Sequence, residues 1–268
     1  MKKSFKLGVI GAGFMSLAII NGLVSSKFLN SNEIIVSDKN SESLDKIAKL
    51  GVKTSLSNLE LVNNAEFTLF AVKPQSLDAV LEEIKGANCN KFISIMAGIK
   101  KDRIRKTFSS SSIARCMPNT PCSISSGAVG LDLTDFTCEQ DKAFIKGIFG
   151  VISQVVLVDE NLLNAVTGVS GSSPAYFYLF LKGIIDAGVK QGLTEEQAKL
   201  LATNTMIGAG KMVLMNSDKS LDELINAVCS KGGTTIEAIK VYQDGGLTNL
   251  TTKAVCACVK RAEELENI

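Results

Sequence analysis

Apolar and polar positions follow two different patterns along the chain, and the change divides it into two parts. In the first part, short apolar runs are separated by segments with helical spacing, which is typical of buried strands joined by helices. We predict strands at residues 6–10, 33–37, 67–72, 92–96, 113–116 and 153–158. This order predicts an α/β fold, a doubly wound parallel sheet that binds its ligand at the carboxyl ends of the strands.

Beyond about residue 161 the pattern becomes almost wholly helical. Pro174 stands in the first turn of one helix, and residues 194–197 and 220–223 have the spacing of capping boxes. Two stretches, 175–189 and 200–215, are apolar around much of their surface, so we expect this region to dimerise. The predicted domains are residues 1–161, an α/β domain, and residues 162–268, an all-α domain.

Composition narrows the possible functions. The 268 residues carry a formal net charge of +2 without a basic stripe, which excludes nucleic acid as an expected partner. No apolar run of membrane-spanning length lacks a charge, so no membrane is expected either. The chain has no histidine, the commonest metal ligand and general acid or base, and its seven cysteines lack C-x-x-C spacing. We therefore expect no metal site, reduced thiols and a cytoplasmic protein.

A glycine turn follows the first predicted strand. Gly11 and Gly13 match the first two positions of a dinucleotide-binding fingerprint, whose third glycine is replaced by Ser16. Such a turn lets the backbone approach a phosphate at the start of a helix. An alternative is a secretory signal, since the basic residues 2–3 precede an apolar stretch at 7–24, although early glycines interrupt that stretch.

The residues just past the second strand bear on the choice of dinucleotide. An acidic side chain there favours the ribose 2′-hydroxyl of NAD, and a cationic one favours the 2′-phosphate of NADP. Asp38 and Lys39 offer both signs. The alternative is a solvated turn that caps the next helix.

Two segments rich in glycine and hydroxyl groups stand out in the helical part. Residues 167–176 place hydroxyls and backbone N–H groups before a helix, or form a flexible loop with an N-cap. Residues 230–235 place two glycines before a helix whose first turn holds Thr234 and Thr235. Backbone N–H groups and hydroxyls of this kind hold a small carboxylate.

Several motifs, taken in order along the chain, resemble the pyrroline-5-carboxylate reductase family. They are the glycine turn, Ala71-Val72-Lys73-Pro74, Met117-Pro118-Asn119-Thr120-Pro121, the segment 167–176 and Ser230-Lys231-Gly232-Gly233-Thr234-Thr235. The resemblance implies a Rossmann domain followed by a helical dimerisation domain. It also implies NADPH or NADH as reductant, and homodimers that assemble into decamers as pentamers of dimers.

The resemblance also implies roles for individual residues. Thr235 is the implied catalytic residue, and the substrate carboxylate is implied to bind Ser230, Gly233, Thr234 and Thr235. The implied cofactor contacts are Ile10, Gly11, Ala12, Gly13, Phe14, Met15, Ser37, Asp38, Lys39, Asn58, Ala71, Val72, Lys73, Pro74, Met96, Ala97, Glu160 and Thr167. Two departures occur. Lys231 replaces a proline common in relatives, and an arginine that some relatives have near Lys39 is missing, which leaves the preference for NADPH open.

The implied reaction is the reduction of 1-pyrroline-5-carboxylate to L-proline by hydride transfer, the last step of proline biosynthesis. The proton on the ring nitrogen comes from the Thr235 hydroxyl, from a water that it relays, or from a substrate that is already protonated. One alternative is a reductase of a related substrate, such as a six-membered cyclic imine or a β-hydroxy acid, although the catalytic lysine motif of β-hydroxy-acid enzymes is absent. The other is a dinucleotide-binding sensor without catalysis.

Overall fold

A single sheet organises the first part of the chain. The computed structural model describes residues 3–266. The strands are β1 (Phe5–Ile10), β2 (Ile34–Ser37), β3 (Lys53–Ser55), β4 (Ala65–Phe70), β5 (Lys91–Ser94), β6 (Ser112–Met117), β7 (Gly127–Asp132) and β8 (Ser153–Leu157). Their order is β3-β2-β1-β4-β5-β6-β7-β8, and every neighbouring pair is parallel except β6 and β7. The first six strands have the doubly wound order of dinucleotide-binding folds, which confirms the predicted fold class.

Helices connect these strands and form the rest of the chain. Those of the first part are α1 (Phe14–Ser25), α2 (Ser41–Ala48), α3 (Asn58–Asn64), α4 (Leu77–Glu83), α5 (Lys101–Arg105) and α6 (Glu139–Gly150). Those that follow are α7 (Leu163–Val166), α8 (Ser173–Lys190), α9 (Glu195–Met215), α10 (Leu221–Val228), α11 (Thr234–Asp244) and α12 (Leu247–Leu265). The predicted capping boxes begin α9 and α10, where Thr194 and Ser220 accept N–H hydrogen bonds. Within the described residues, no helix is both long and apolar enough to cross a bilayer.

The sheet buries two apolar cores because its central strands are apolar on both faces. Side chains alternate between the faces of a strand. Val9 and Phe67 therefore join one core, while Ile10, one residue after Val9, and Phe70, three residues after Phe67, join the other. Helices cover both faces of the sheet, so a ligand can reach the sheet only at the ends of its strands.

Two strands were not predicted. Strand β3 is short, and β7 contains two glycines that obscure the alternation of its apolar residues. Both glycines are needed for close packing. A Cβ on Gly127 would lie 2.2 Å from the Cys122 sulfur, and one on Gly130 would lie 2.7 Å from a methyl carbon of Val166. The predicted all-parallel sheet is therefore mostly parallel, since β7 runs antiparallel to β6.

The segment that could be mistaken for a signal is part of the sheet domain. Residues 5–10 form β1, and α1 buries Ser16, Ile19, Ile20 and Leu23 at helical spacing. Of the basic residues 2–3 that begin the proposed signal, residue 2 lies outside the described residues. The apolar stretch is accounted for by core packing.

The chain separates into two compact units. One runs to Pro174 and includes the chain again from Cys258, and the other is Ala175–Ala257. Within Ala175–Ala257, all of which is described, Ala198 alone is buried. The predicted domain boundary near residue 161 stays a prediction.

Candidate functional site

The glycine turn between β1 and α1 has a backbone that only glycine adopts easily. Gly11 has φ of +106°, and a Cβ there would lie 2.6 Å from the Ala71 carbonyl oxygen. Its N–H donates to the Ser37 carbonyl oxygen at 2.7 Å. Gly13 is the N-cap of α1 and makes no side-chain cap, and a Cβ on it would meet no atom within 4 Å. The turn therefore offers helix N–H groups beside open space, which suits a pyrophosphate.

Asp38 is held against this turn. The Ala12 N–H donates to Asp38 Oδ2 at 2.7 Å, and the Asn40 N–H donates to Asp38 Oδ1 at 2.8 Å. Because each carboxylate oxygen accepts a backbone hydrogen bond, the side chain has a fixed direction. A solvated turn that caps the next helix, the alternative, describes only part of this segment. Asn40 caps α2, whereas Asp38 contacts the glycine turn.

A chain of hydrogen bonds connects Ser37 and Asn58, which are buried, to Glu83, which is exposed. The Ser37 hydroxyl donates to Asn58 Oδ1 at 2.6 Å, and Asn58 Nδ2 donates to Glu83 Oε2 at 2.9 Å. The Asn58 N–H also donates to Glu83 Oε1 at 3.2 Å. Glu83 was not predicted, because a glutamate near the end of a helix looks like an ordinary exposed residue.

These groups surround a cavity of about 490 Å³ at the carboxyl ends of β1, β2 and β4. The predicted cofactor residues that line it are Ile10, Gly11, Gly13, Ser37, Asp38, Lys39, Asn58, Ala71, Val72 and Lys73. The lining residues that were not predicted are Gln75, Ser76, Ala79 and Val80. The open glycine turn, the fixed carboxylate and the position at the strand ends fit the adenosine and pyrophosphate part of a dinucleotide.

Other predicted cofactor residues lie outside this lining. Ala12, Phe14, Met15 and Pro74 adjoin it along the chain. Met96 is buried just after β5, where its N–H donates to the Ser94 hydroxyl at 3.3 Å, and Ala97 is exposed. Glu160 and Thr167 follow β8.

Glu160 belongs to a cluster of charges around Arg115, which is 1% exposed. Glu160 Oε1 accepts the Lys101 N–H at 2.8 Å and lies 3.4 Å from Arg115 Nη1. Arg115 Nη2 lies 3.0 Å from Glu266 Oε1, and Lys100 Nζ lies 3.1 Å from Glu266 Oε2. A single arginine within an apolar strand was the only signal of this cluster in the sequence.

The pKa of Glu266 reflects that cluster. Burial would raise the pKa of its carboxyl, but hydrogen bonds from Lys100, Asn164 and Arg115 lower it below the ordinary value. The end of α12 also packs closely on the loop after β5, because a Cβ on Gly98 would lie 3.0 Å from Leu265 Cβ. The last residues of the described chain therefore belong structurally with the sheet.

The segment 167–176 is helical, with Pro174 in the first turn of α8 as predicted. Residues 167–171 form neither the flexible loop nor the set of free hydroxyls before a helix that the sequence suggested. Thr167–Gly171 form a π-helical turn between α7 and α8. The Thr167 hydroxyl donates to the Leu163 carbonyl at 2.9 Å, and the Ser170 hydroxyl donates to the Val166 carbonyl at 3.1 Å. Such hydroxyls satisfy the helix backbone internally, and π-turns of this kind are frequent at functional sites.

The Met117-Pro118-Asn119-Thr120-Pro121 motif positions this turn. Asn119 is nearly buried, and its Nδ2 donates to the Ser170 carbonyl at 3.3 Å. Its Oδ1 accepts the Ala128 N–H at 3.0 Å. The asparagine amide therefore links the π-turn to β7.

The second unit contains the predicted carboxylate site at the start of α11. Gly232 has φ of +72°, and Gly233 is an N-cap without a side-chain hydrogen bond. The Gly233 N–H donates to the Ser230 carbonyl at 3.0 Å, and a Cβ on Gly233 would lie 2.2 Å from Ser230 Oγ. Thr235 is half-buried and Thr234 is exposed. The turn brings the four predicted substrate residues together around a helix N-terminus that can accept an anion.

Comparison with known proteins identifies the family. Residues 160–265 match the model described as pyrroline-5-carboxylate reductase dimerisation, and residues 6–98 match the one described as NADP oxidoreductase coenzyme F420-dependent. The chain is 38% identical over 264 residues to pyrroline-5-carboxylate reductase from Synechocystis sp., covering 98% of each protein.

Two solved structures are similar along their whole length. A pyrroline-5-carboxylate reductase from Coxiella burnetii has a TM-score of 0.91 and 34% identity, covering 98% of this chain and 99% of its own. The Plasmodium falciparum pyrroline carboxylate reductase, solved with NADP bound, has a TM-score of 0.86 and 27% identity, covering 99% and 100%. The chain belongs to the pyrroline-5-carboxylate reductase family.

Proposed function

We propose that the protein reduces 1-pyrroline-5-carboxylate to L-proline with NADPH or NADH as hydride donor. The observation that carries this proposal is the similarity to named reductases of this family over 98% of the chain. The geometry supports it independently, because a dinucleotide-type cavity and a helix N-terminus suited to a carboxylate both occur in the chain.

The glycine turn and the end of β2 hold the adenosine and pyrophosphate part of the cofactor in this proposal. Gly11 and Gly13 allow the backbone to approach the phosphates. Asn58, which lines the same cavity, is held in place by hydrogen bonds with Ser37 and Glu83. Met96, Ala97, Glu160 and Thr167 remain predicted contacts for the nicotinamide part. When bound, the reduced nicotinamide supplies the hydride that the imine carbon accepts.

The turn at Ser230 and the start of α11 bind the substrate carboxylate in this proposal. Backbone N–H groups, together with the hydroxyls of Ser230, Thr234 and Thr235, orient it. The Thr235 hydroxyl donates a proton to the ring nitrogen, directly or through one water, and takes a proton from solvent in its place. Because the chain has no histidine, this hydroxyl fills a role for which histidine is the commonest choice.

A spectrophotometric assay tests the proposed activity. Purified protein is mixed with NADPH or NADH, and oxidation is followed after the addition of 1-pyrroline-5-carboxylate or a six-membered cyclic imine carboxylate. We expect oxidation with the five-membered imine and equimolar L-proline as product. Cofactor binding without oxidation would instead indicate a sensor, and faster turnover of the six-membered imine would indicate a different substrate.

Thr235→Ala tests the proposed catalytic hydroxyl. We expect kcat to fall by about 10²-fold or more, as for loss of a positioned proton donor, while the cofactor dissociation constant changes little. Thr235→Ser, which retains a hydroxyl, is the matched control and should keep most of the activity. Equal losses in turnover and cofactor affinity would contradict this assignment.

The proposal includes self-association through the second unit. Its helices expose large apolar side chains, and the matched family region is described as a dimerisation region. We propose a homodimer as the basic unit and a decamer built from five dimers, without nucleic acid or membrane partners. A cytoplasmic location is supported by the seven cysteines, all of which are free in the described chain.

A further inference from the structure

We propose that Asp38 determines which reduced cofactor the protein prefers, by disfavouring the 2′-phosphate of NADPH relative to the 2′-hydroxyl of NADH. This inference rests on the proposed function, because it concerns the cofactor of that reaction. The sequence alone does not decide the question, since Asp38 and Lys39 are adjacent and carry opposite charges. The structure distinguishes their side chains.

Asp38 is fixed, because both of its oxygens accept hydrogen bonds from backbone N–H groups, one from Ala12 in the glycine turn and one from Asn40. It is half-buried and lines the 490 Å³ cavity. Turning the carboxylate away would leave both N–H groups without this acceptor. A ligand entering the cavity therefore meets a negative charge that cannot easily move.

Lys39 differs in each of these respects. It also lines the cavity, but it is exposed and forms no ion pair or hydrogen bond with any residue in the described part of the chain. A flexible lysine can contact a phosphate, although it must lose side-chain entropy to do so. The fixed charge at the end of β2 is therefore negative, and the mobile one is positive.

Chemistry then gives the direction of selection. A ribose 2′-hydroxyl can donate a hydrogen bond to the Asp38 carboxylate, whereas a 2′-phosphate carries roughly −1.5 to −2 charges and can only repel it. Like charges held close together in a partly enclosed cavity are weakly screened. Removing the Asp38 charge should therefore improve binding of the phosphorylated ribose selectively.

Binding measurements test this without turnover. Adenosine 2′,5′-bisphosphate and adenosine 5′-monophosphate differ only in the 2′-phosphate, and both are titrated calorimetrically into the wild-type protein, Asp38→Asn and Asp38→Ser. We expect the affinity ratio of bisphosphate to monophosphate to rise by about tenfold or more in both variants. Asp45→Asn, which removes an exposed carboxylate from α2, is the matched control for net charge and should leave the ratio unchanged.

The assay with 1-pyrroline-5-carboxylate gives the second readout. In Asp38→Asn and Asp38→Ser, the ratio of kcat/KM with NADPH to kcat/KM with NADH should rise by about the same factor as the binding ratio. Lys39→Gln should shift both ratios in the opposite direction. Thermal unfolding identifies a variant that has lost its fold, and the other Asp38 variant then supplies the comparison.

The outcomes separate this inference from the proposed function. If imine is reduced and the two ratios stay the same in folded Asp38 variants, the assignment of Asp38 is wrong while the reductase stands. If no imine is reduced, the proposed function fails, and the nucleotide titrations still decide the role of Asp38. An equal rise of the affinity ratio in Asp45→Asn would show that the effect comes from net charge, and it would overturn the proposal.

Discussion

The two units of the chain treat their apolar side chains in opposite ways. In the sheet unit, Val9, Ile19 and Phe67 are 0% exposed and belong to a continuous core. In the unit Ala175–Ala257, large apolar residues lie at the surface, with Leu214 77% and Met215 81% exposed. A surface of this kind is unusual for a protein region that acts alone and is typical of an interface.

The difference follows from how the apolar side chains of each unit can be covered. Strand alternation divides a continuous apolar run between two faces, and the connecting helices cover both. Helices α8 and α9 are apolar around most of their circumference, so they leave a groove of about 790 Å³ lined by residues such as Phe180, Leu201 and Val213. The sheet unit should therefore be stabilised by its own core, and the helical unit by association with a second copy.

The largest expected effect comes from charging the groove between α8 and α9. Leu201→Glu places a carboxylate on this apolar surface, and burying an unpaired charge at an interface costs several kcal/mol, roughly. We expect sedimentation velocity to show loss of the dimer at micromolar protein, and the melting temperature to lose its dependence on protein concentration.

Lys211→Glu on the same helix is the control for this change. It introduces the same side chain at an exposed polar position, and it should leave the sedimentation coefficient unchanged. A dimer that survives Leu201→Glu would show that the groove is not covered by a second copy. The contrast between the two units would then need another explanation.

The next effect tests the internal stability of the sheet unit. Lys101 is 4% exposed, and its ammonium lies 2.6 Å from Asp132 and 2.9 Å from Asp135. Lys101→Met removes the cation and leaves two carboxylates without it. Breaking a buried pair in this way costs about 3–5 kcal/mol, measured as the free energy of unfolding in urea.

The cost should depend on pH in a defined direction. Burial would raise the pKa of Asp135, but hydrogen bonds from Lys101 and the Ile113 N–H lower it. Because the folded-state pKa lies below the unfolded value of about 3.9, this stabilisation is present above that pH and is lost as the pH falls through the folded-state pKa. The difference in the free energy of unfolding between wild type and Lys101→Met should therefore become smaller below about pH 4. A difference that stays constant there would contradict the ion-pair explanation.

Much of the fold could be predicted because the sheet core is encoded locally. The run 67–72 is apolar except for Thr68, and the capping boxes at Thr194 and Ser220 mark helix starts directly. Strand β7 could not be predicted, because the close contacts of Gly127 with Cys122 and of Gly130 with Val166 are not visible in the apolar pattern. The helical nature of residues 167–171 was also missed, since serine and threonine were expected before a helix or in a flexible loop, whereas their hydroxyls bond to helix carbonyls.

The candidate site was predictable only in part. The glycine turn and the end of β2 carry recognisable signals, and the structure places them around one cavity. The support from Glu83 and the charge cluster at Arg115 depend on long-range contacts that no local pattern reveals. Arg115 contacts Glu266, which is 151 positions away along the chain.

The smallest expected effect tests where the sheet unit ends. Glu266→Gln removes the charge that pairs with Arg115 and Lys100 but keeps the shape of the side chain. We expect a loss of about 1–3 kcal/mol in the free energy of unfolding, because the buried guanidinium loses the charge of Glu266 and keeps that of Glu160. Chemical denaturation measures this loss.

Glu264→Gln is the matched control, since Glu264 lies two residues before Glu266, at the end of α12, with an exposed side chain that pairs with Arg261. It should change stability by less than about 0.5 kcal/mol. If the end of α12 belongs to the sheet unit, the Glu266→Gln loss should also be the same in the Leu201→Glu background, because the effects of independent sites are additive. A loss that disappears in that background would assign the helix end to the association of the second unit, and the boundary between the self-sufficient core and the interface would have to move.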